Sequence, residues 1–162
     1  MRAYFTQALL LTVAFFLDAF ASAMGYPFNL VSSITVLIGT GMFLFDVHAL
    51  FFFALLGGLF EDYLTYSVVG FHSILYIVAL TFVMGLRSTI ITHQAGFSIF
   101  LLLLTFHGLY YVGLIVGAMQ FSLSIFQETL IRTLLHTALS FLLLFIIKRL
   151  TAEIHKRFIS NV

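Results

Sequence analysis

The sequence predicts an all-α bundle of about six membrane-spanning helices, on the basis of three observations. Of its 162 residues, 62% are hydrophobic and only 8% are charged, whereas about a quarter of the residues in soluble domains are charged. Its 21 Phe and many Leu cannot all be hidden in so small a globule, because small domains leave much of their surface wet. The apolar residues also form long runs separated by turn signals. We therefore expect lipid to be the solvent of this chain.

Six apolar runs are the predicted spans, and all belong to a single domain. A spanning helix needs about 20 mostly apolar residues, and shorter ones are tolerated where the bilayer adapts. The turn signal Gly25-Tyr26-Pro27 ends the first run, and Asp46 and His48 keep the second and third short. These two short segments could instead form a re-entrant hairpin, and five spans is the alternative count. The predicted spans cover residues 4–24, 30–45, 47–62, 68–86, 96–119 and 123–147.

The distribution of Lys and Arg predicts that both termini are cytoplasmic. Cytoplasmic loops retain an excess of these residues. With six alternating spans, one side of the membrane receives every base except Arg132, which lies within the sixth run, and the other side receives none. We expect the chain to end in a basic cytoplasmic tail over residues 148–162. The bases on the cytoplasmic side are Arg2, Arg87, Lys148, Arg149, Lys156 and Arg157.

Composition and motifs argue against several function classes. The net charge of +1 offers no basic field for nucleic acid, and the chain has no Cys. No pair of its six His has metal-ligand spacing on one helix. We also found no Walker loop, dinucleotide fingerprint or Ser-His-acid motif. We therefore expect no metal, no cofactor and no enzymatic activity. Ala21-Ser22-Ala23 imitates a signal-peptidase site, but the preceding run is long, contains Asp18 and leads into further spans, so we expect no cleavage.

Two adjacent acids, Glu61 and Asp62, stand at the end of the third run. An ionisable group within a span is costly unless paired, so each is a candidate functional residue. If the helix continues past residue 60, Asp62 shares a face with Gly58, while Glu61 points about 100° away. We expect Asp62 to face inward and Glu61 to face sideways or outward. Ala54 and Gly58 form a pair of small residues that allows another backbone to approach. The alternative is a plain helix end at the outer headgroups.

Two other spans contain ionisable residues. Asp18 is expected to make a structural polar contact with Arg132 or a Tyr hydroxyl. In the sixth run, Glu128, Arg132, His136 and Ser140 recur every four residues. The order of Glu128 and Arg132 favours a local ion pair. This row of residues could be a self-satisfied buried network, or it could line a polar cavity or a docking surface.

Gly113 and Gly117 form a GxxxG pattern in the fifth run. Small residues at this spacing let two helices pack closely. The pattern predicts close packing either within the chain or between copies in a homo-oligomer.

The segment Gly58-Leu-Phe-Glu-Asp62, followed by Gly70 and an apolar helix, resembles the MreD family of small, multi-spanning rod-shape-determining proteins of the bacterial inner membrane. The resemblance extends over the whole chain in length and span layout, although its recognisable residues lie in about 57–87. The chain departs from the family pattern at Glu61, where an apolar residue is expected, and at Tyr66, where Gly is frequent. In the last helix, Phe141 stands where the family can have a Pro after a polar residue, here His136.

The resemblance implies a non-enzymatic component of the bacterial elongation machinery, which controls cell shape and lateral peptidoglycan synthesis. Its implied partners are the bitopic protein MreC, the SEDS polymerase and transpeptidase pair and, indirectly, MreB filaments. Asp62 would hold the central helices in register through hydrogen bonds to the turn at Gly70, and Glu61 would face a partner.

The alternative function is that of a substrate-binding subunit of an energy-coupling-factor vitamin transporter. These six-helix subunits have a fold similar to that of the MreD family. Asp62, Tyr66, His72 and Arg132 would then line a small-molecule cavity. Cavity linings usually combine aromatic and polar groups, but no Trp or rich cluster of donors follows Thr65-Tyr66-Ser67. This absence favours the cell-shape function.

Overall fold

The computed structural model describes residues 2–26, 28–65, 67–90, 96–119 and 121–159, with side chains over 9–26, 29–65, 67–87, 96–119 and 121–152. Pro27, Tyr66 and His93 lie outside the described residues, and the side chains of Arg2, Lys156 and Arg157 lie outside the described side chains. Over these ranges the chain is all-helical, with a short 3₁₀ turn at Phe28–Leu30. The helices are α1 (Arg2–Met24), α2 (Ser33–Gly41), α3 (Val47–Thr65), α4 (Phe71–Ile90), α5 (Gly96–Ala118) and α6 (Leu123–Ile159).

Three helices in the described part of the chain are long and apolar enough to cross a membrane, namely α3, α5 and α6 over Leu123–Ala152. Shorter apolar stretches cover Leu9–Met24 of α1 and Phe71–Arg87 of α4. The all-α bundle with membrane-type helices is therefore confirmed, whereas the number of spans stays a prediction.

The second helix is much shorter than the predicted span over residues 30–45. Helix α2 has nine residues, or about 14 Å at 1.5 Å per residue, and the hydrocarbon layer is about 30 Å thick. The Ser32 side chain caps its start by accepting from the backbone N–H of Thr35. After residue 45, Asp46 caps α3 by accepting from the N–H of Ala49 at 2.9 Å. The capping side chains at Ser32 and Asp46 mark two separate helix starts, and between them the apolar run is an α-helix only over Ser33–Gly41.

The sixth helix is longer than predicted. Helix α6 runs for 37 residues to Ile159, or about 55 Å. The predicted span over residues 123–147 lies within this helix, and the basic segment over 148–159 continues the helix beyond it. Phe141 keeps its backbone N–H, unlike a Pro, so the helix passes through this position without interruption.

The short helix α2 lies at the centre of the bundle, where it contacts α1, α3, α5 and α6. Seven of its nine residues are buried. Around it, α3 packs on α4, and α5 packs on α4 and α6. The outer faces carry large apolar side chains such as Phe16, Phe20 and Phe145, each more than half exposed, as expected for surfaces that face lipid.

Candidate functional site

The Asp62 carboxylate closes the connection between α3 and α4. It accepts hydrogen bonds from the N–H of Gly70 at 2.6 Å, the N–H of His72 at 3.0 Å and the Ser67 hydroxyl at 2.8 Å. The Nδ1 atom of His72 lies 2.7 Å from the same carboxylate. Asp62 is only 3% exposed. The first N–H groups of a helix lack partners within the helix, so Asp62 serves as the cap of α4. We call these four residues the Asp62 clasp.

The predicted bond from Asp62 to the turn at Gly70 is therefore present in the structure. Gly70 has a φ of +90°, a backbone conformation that glycine adopts without the steric cost of a Cβ. That conformation lets its N–H donate to the carboxylate of the preceding helix.

Gly58 permits the close approach of α3 and α4. A Cβ on Gly58 would collide with the backbone N and Cα of Ser73, and the Ser73 hydroxyl donates to the carbonyl of Leu55 at 2.9 Å. Ala54, one turn earlier, is fully buried. The prediction that this small-residue pair lets another backbone come close is confirmed at Gly58.

Ser67, His72 and Asp62 form a constellation that the sequence analysis missed. The Ser67 hydroxyl lies 3.2 Å from Nδ1 of His72, the same nitrogen that contacts Asp62. In serine hydrolases the nucleophile and the acid contact opposite nitrogens of the imidazole, so that the ring can transfer a proton between them. The shared nitrogen makes this arrangement a helix cap and does not provide the geometry of a triad. Asp62, Ser67 and His72 follow one another at intervals of five residues, and this regular spacing is the sequence signal that could have indicated the constellation.

Glu61 is buried within the chain, so the prediction that it faces sideways or outward to a partner was wrong. It is 8% exposed and lies within hydrogen-bond distance of the hydroxyls of Ser32, Tyr76 at 3.3 Å and Thr35 at 3.4 Å. The reason is that α3 has neighbours on two sides. Asp62 faces the start of α4, and the face about 100° away is covered by α2.

Asp18 caps the central helix α2, and the predicted pairing with Arg132 or a Tyr hydroxyl was wrong. Its carboxylate accepts from the N–H groups of Ser33 at 2.5 Å and Ile34 at 3.0 Å. It also contacts the Ser32 hydroxyl at 3.1 Å, whose one proton is shared between Asp18 and Glu61. A helix N-terminus combines unpaired N–H groups with a positive dipole end, which favours an acid at this position. The expectation of a structural contact fits this geometry.

The two buried acids meet in a polar cluster that joins four helices. The Ser32 hydroxyl contacts both Asp18 and Glu61, and the Thr35 hydroxyl lies 2.5 Å from that of Tyr76. We call these five residues the buried polar cluster. Because every member has a hydrogen-bond partner within the chain, the cluster fixes how α1, α2, α3 and α4 pack.

The predicted row of polar residues on α6 divides into an exposed half and a buried half. In the exposed half, Nε and a terminal nitrogen of Arg132 lie 2.9 and 2.8 Å from Oε1 of Glu128. Arg132 also donates to the carbonyl of Asn29 at 3.0 Å. The predicted local ion pair is therefore present. The Glu128 side chain of this pair is 53% exposed, so this half of the row is not a buried network.

The buried half of the row holds α6 against α2. His136 accepts from the N–H of Ser32 through Nε2 at 2.8 Å and contacts the carbonyl of Arg132 through Nδ1 at 2.6 Å. Because the Ser32 amide can only donate, Nδ1 carries the proton of a neutral ring. One turn later, the Ser140 hydroxyl donates to the carbonyl of Val36 at 3.2 Å.

The GxxxG pattern packs within the chain. A Cβ on Gly113 would lie 2.7 Å from the Leu75 side chain, and one on Gly117 would collide with the ring of Phe71. Both contacts belong to α4. The glycines thus pack against side chains of a neighbouring helix within the chain, and a homo-oligomer stays a prediction.

A loss of the α2 cap should measurably destabilise the bundle. We expect Asp18→Ala to lower the free energy of unfolding by about 2 kcal/mol, because two backbone N–H groups lose their acceptor. Thermal unfolding in detergent checks this. Ser122→Ala is the control, since Ser122 caps α6 at an exposed position with a 3.3 Å bond to Ile125 and should cost about 0.5 kcal/mol. Equal effects of the two variants would contradict the assignment.

Asp62 and Arg132 line separate cavities. Asp62 lies beside a cavity of about 530 Å³ with Tyr63 and Ser67. Arg132 lies beside one of about 300 Å³ between α5 and α6.

In the described part of the chain no group of three His, Asp or Glu residues is placed to hold a metal ion. Comparisons of the chain with models of known protein families, with curated proteins and with solved structures give no match.

Proposed function

We propose that the chain is a non-enzymatic membrane component of the bacterial elongation machinery. It lies in the inner membrane as a multi-pass protein with both termini in the cytoplasm. It takes part in cell-shape control and lateral peptidoglycan synthesis through an MreC-like bitopic protein and the SEDS polymerase and transpeptidase pair, and indirectly through MreB filaments.

The observation that carries this proposal is the Asp62 clasp together with Gly58. Gly58, Asp62 and Gly70, which carry the resemblance to the MreD family, act on one structural feature. Gly58 lets α3 approach α4, and Asp62 bonds to Gly70 at the start of α4. Because Gly58, Asp62 and Gly70 all act on the same contact between α3 and α4, the structure explains why the three residues occur together.

The surface of the bundle supports a role through lateral contacts. Large apolar side chains are exposed along α1, α4, α5 and α6, whereas the three acids Asp18, Glu61 and Asp62 are bonded inside the chain. Such a molecule offers helix faces to other membrane proteins. The constellation formed by Ser67, His72 and Asp62 lacks the geometry of a hydrolase, because Ser67 and Asp62 contact the same nitrogen of His72.

No specific observation favours the vitamin-binding alternative. That function needs Asp62, Tyr66, His72 and Arg132 around one cavity, but Asp62 and Arg132 line different cavities. Asp62 and His72 also bond to each other, and Tyr66 lies outside the described residues.

Affinity capture of the tagged chain from membranes of its bacterial host tests the proposal. We expect quantitative mass spectrometry to find a bitopic MreC-like protein together with wall-synthesis enzymes. The control is the same capture with an unrelated tagged membrane protein of equal abundance. Recovery of paired ATPases with a coupling membrane subunit, and of no wall-synthesis protein, would contradict the proposal.

A further inference from the structure

A cavity of about 300 Å³ lies where the start of α4, the end of α5 and the start of α6 meet. Its walls are mainly apolar and include Leu114 and Ile115. Its polar lining comes from Glu128, Thr129 and Arg132, which lie within two turns of one helix, and from the Tyr111 hydroxyl on α5. We call it the α5–α6 cavity. It thus combines an aliphatic wall with a cation, an anion and a hydroxyl.

The length of α6 places the polar side of this cavity at a membrane boundary. Lys148 follows Glu128 by 20 residues, which corresponds to about 30 Å along a helix, the thickness of the hydrocarbon layer. When Lys148 and Arg149 lie at the headgroups of one leaflet, Glu128 lies at those of the other. The long side chain of Arg132, four residues deeper, turns back to Glu128, as charged side chains do near a boundary.

Several polar groups of the cavity have hydrogen-bonding capacity left. A guanidinium has five N–H donors; Arg132 directs two toward Glu128, one toward Asn29 and one toward the Tyr111 hydroxyl, which leaves one. Within the described part of the chain, the side-chain hydrogen bonds include none to the second carboxylate oxygen of Glu128 and none to the Thr129 hydroxyl. Polar groups at the edge of the hydrocarbon layer are costly to leave without partners.

These features match the two charges of a zwitterionic phospholipid headgroup. A phosphate can accept from the remaining donor of Arg132 and from the Thr129 hydroxyl. A primary ammonium can donate to Glu128, while an acyl chain packs on the apolar wall. An anionic headgroup would bring the phosphate but no cation for Glu128. We infer that the α5–α6 cavity binds a phospholipid with a phosphate and a primary amine, in preference to an anionic phospholipid. This inference does not depend on the proposed function.

The test is lipid retention by the purified chain. The protein is exchanged into detergent that contains equal amounts of phosphatidylethanolamine and phosphatidylglycerol with identical acyl chains, and native mass spectrometry counts the retained lipids. We expect one retained phosphatidylethanolamine per chain, favoured about tenfold over phosphatidylglycerol, as one charge-assisted contact would give. Arg132→Gln should lose this retention. Arg149→Gln, the same change at the other end of α6, should keep it.

If Arg132→Gln fails to fold, Glu128→Gln provides a second test of lipid binding in the α5–α6 cavity. Because Glu128 is exposed, its amide variant should fold and lose the preference for phosphatidylethanolamine. The inference is overturned if wild type retains both lipids equally, if folded Arg132→Gln retains as much lipid as wild type, or if Glu128→Gln keeps the wild-type preference. Each of these results would mean that the retained lipid only coats the surface of the bundle.

Discussion

Asp62→Ala is expected to lower the free energy of unfolding by about 3–5 kcal/mol, because three donors lose a buried acceptor and each such loss costs about 1–3 kcal/mol. The variant takes the acceptor from two backbone N–H groups, those of Gly70 and His72, and from the Ser67 hydroxyl. Each buried group left without a partner adds a desolvation penalty. Chemical unfolding in mixed micelles, followed by circular dichroism, measures the loss.

The control for this variant is Asp46→Ala. Asp46 also caps a helix, through a 2.9 Å bond to the N–H of Ala49, but it is exposed. Its removal should cost about 1 kcal/mol. If Asp62→Ala costs no more than Asp46→Ala, the Asp62 clasp does not hold α3 and α4 together.

Gly58→Ala is expected to destabilise the bundle by about 3 kcal/mol, the upper part of the usual range for overpacking. The new methyl group would overlap the backbone of Ser73, which cannot rotate away as a side chain can. Helices α3 and α4 would have to separate, and the Asp62 clasp would loosen with them. The same unfolding measurement applies, and a cysteine pair across α3 and α4 should cross-link less readily in the variant.

Gly108→Ala is the matched control, because a Cβ at this position of α5 meets no atom within 4 Å. The same substitution should there stabilise the helix by about 0.5–1 kcal/mol, since alanine has the higher helix propensity. The two variants should therefore have effects of opposite sign. A loss of stability at Gly108 as large as that at Gly58 would show that close backbone packing is not the cause.

The features that the sequence predicted correctly are mostly local in the chain. The bond between Asp62 and Gly70 spans eight residues, and the ion pair of Glu128 and Arg132 spans four. At such separations, helical geometry and turn chemistry decide which groups meet. The membrane character follows from composition, which needs no knowledge of packing.

The features that the sequence did not predict depend on where α2 lies. The partners of Asp18 and Glu61 on this helix are 14 to 29 residues away, and His136 meets Ser32 across 104 residues. Helical spacing predicts the angle between the Glu61 and Asp62 side chains, but it does not predict which helix packs against Glu61. The serine pair at residues 32 and 33, directly before an apolar run, is the signal that could have indicated a helix start at the centre of the bundle.

The buried acids also show why charge within a span does not by itself indicate chemistry. Asp18 and Asp62 both accept from backbone N–H groups at the start of a neighbouring helix. In a bundle whose outer faces contact lipid, water is not available to accept hydrogen bonds from these backbone N–H groups. A carboxylate from the adjacent helix is therefore a structural solution, and α2 and α4 both use it.

Controlled depletion of the chain in the cells that produce it, with cell width measured by microscopy, tests the proposed role in cell shape most directly. The account predicts that rod-shaped cells widen and become round. It also predicts that a copy of wild type, but not of Asp62→Ala, restores the rods. Depleted cells that keep their rod shape and normal width while the protein is gone from the membrane would contradict the account.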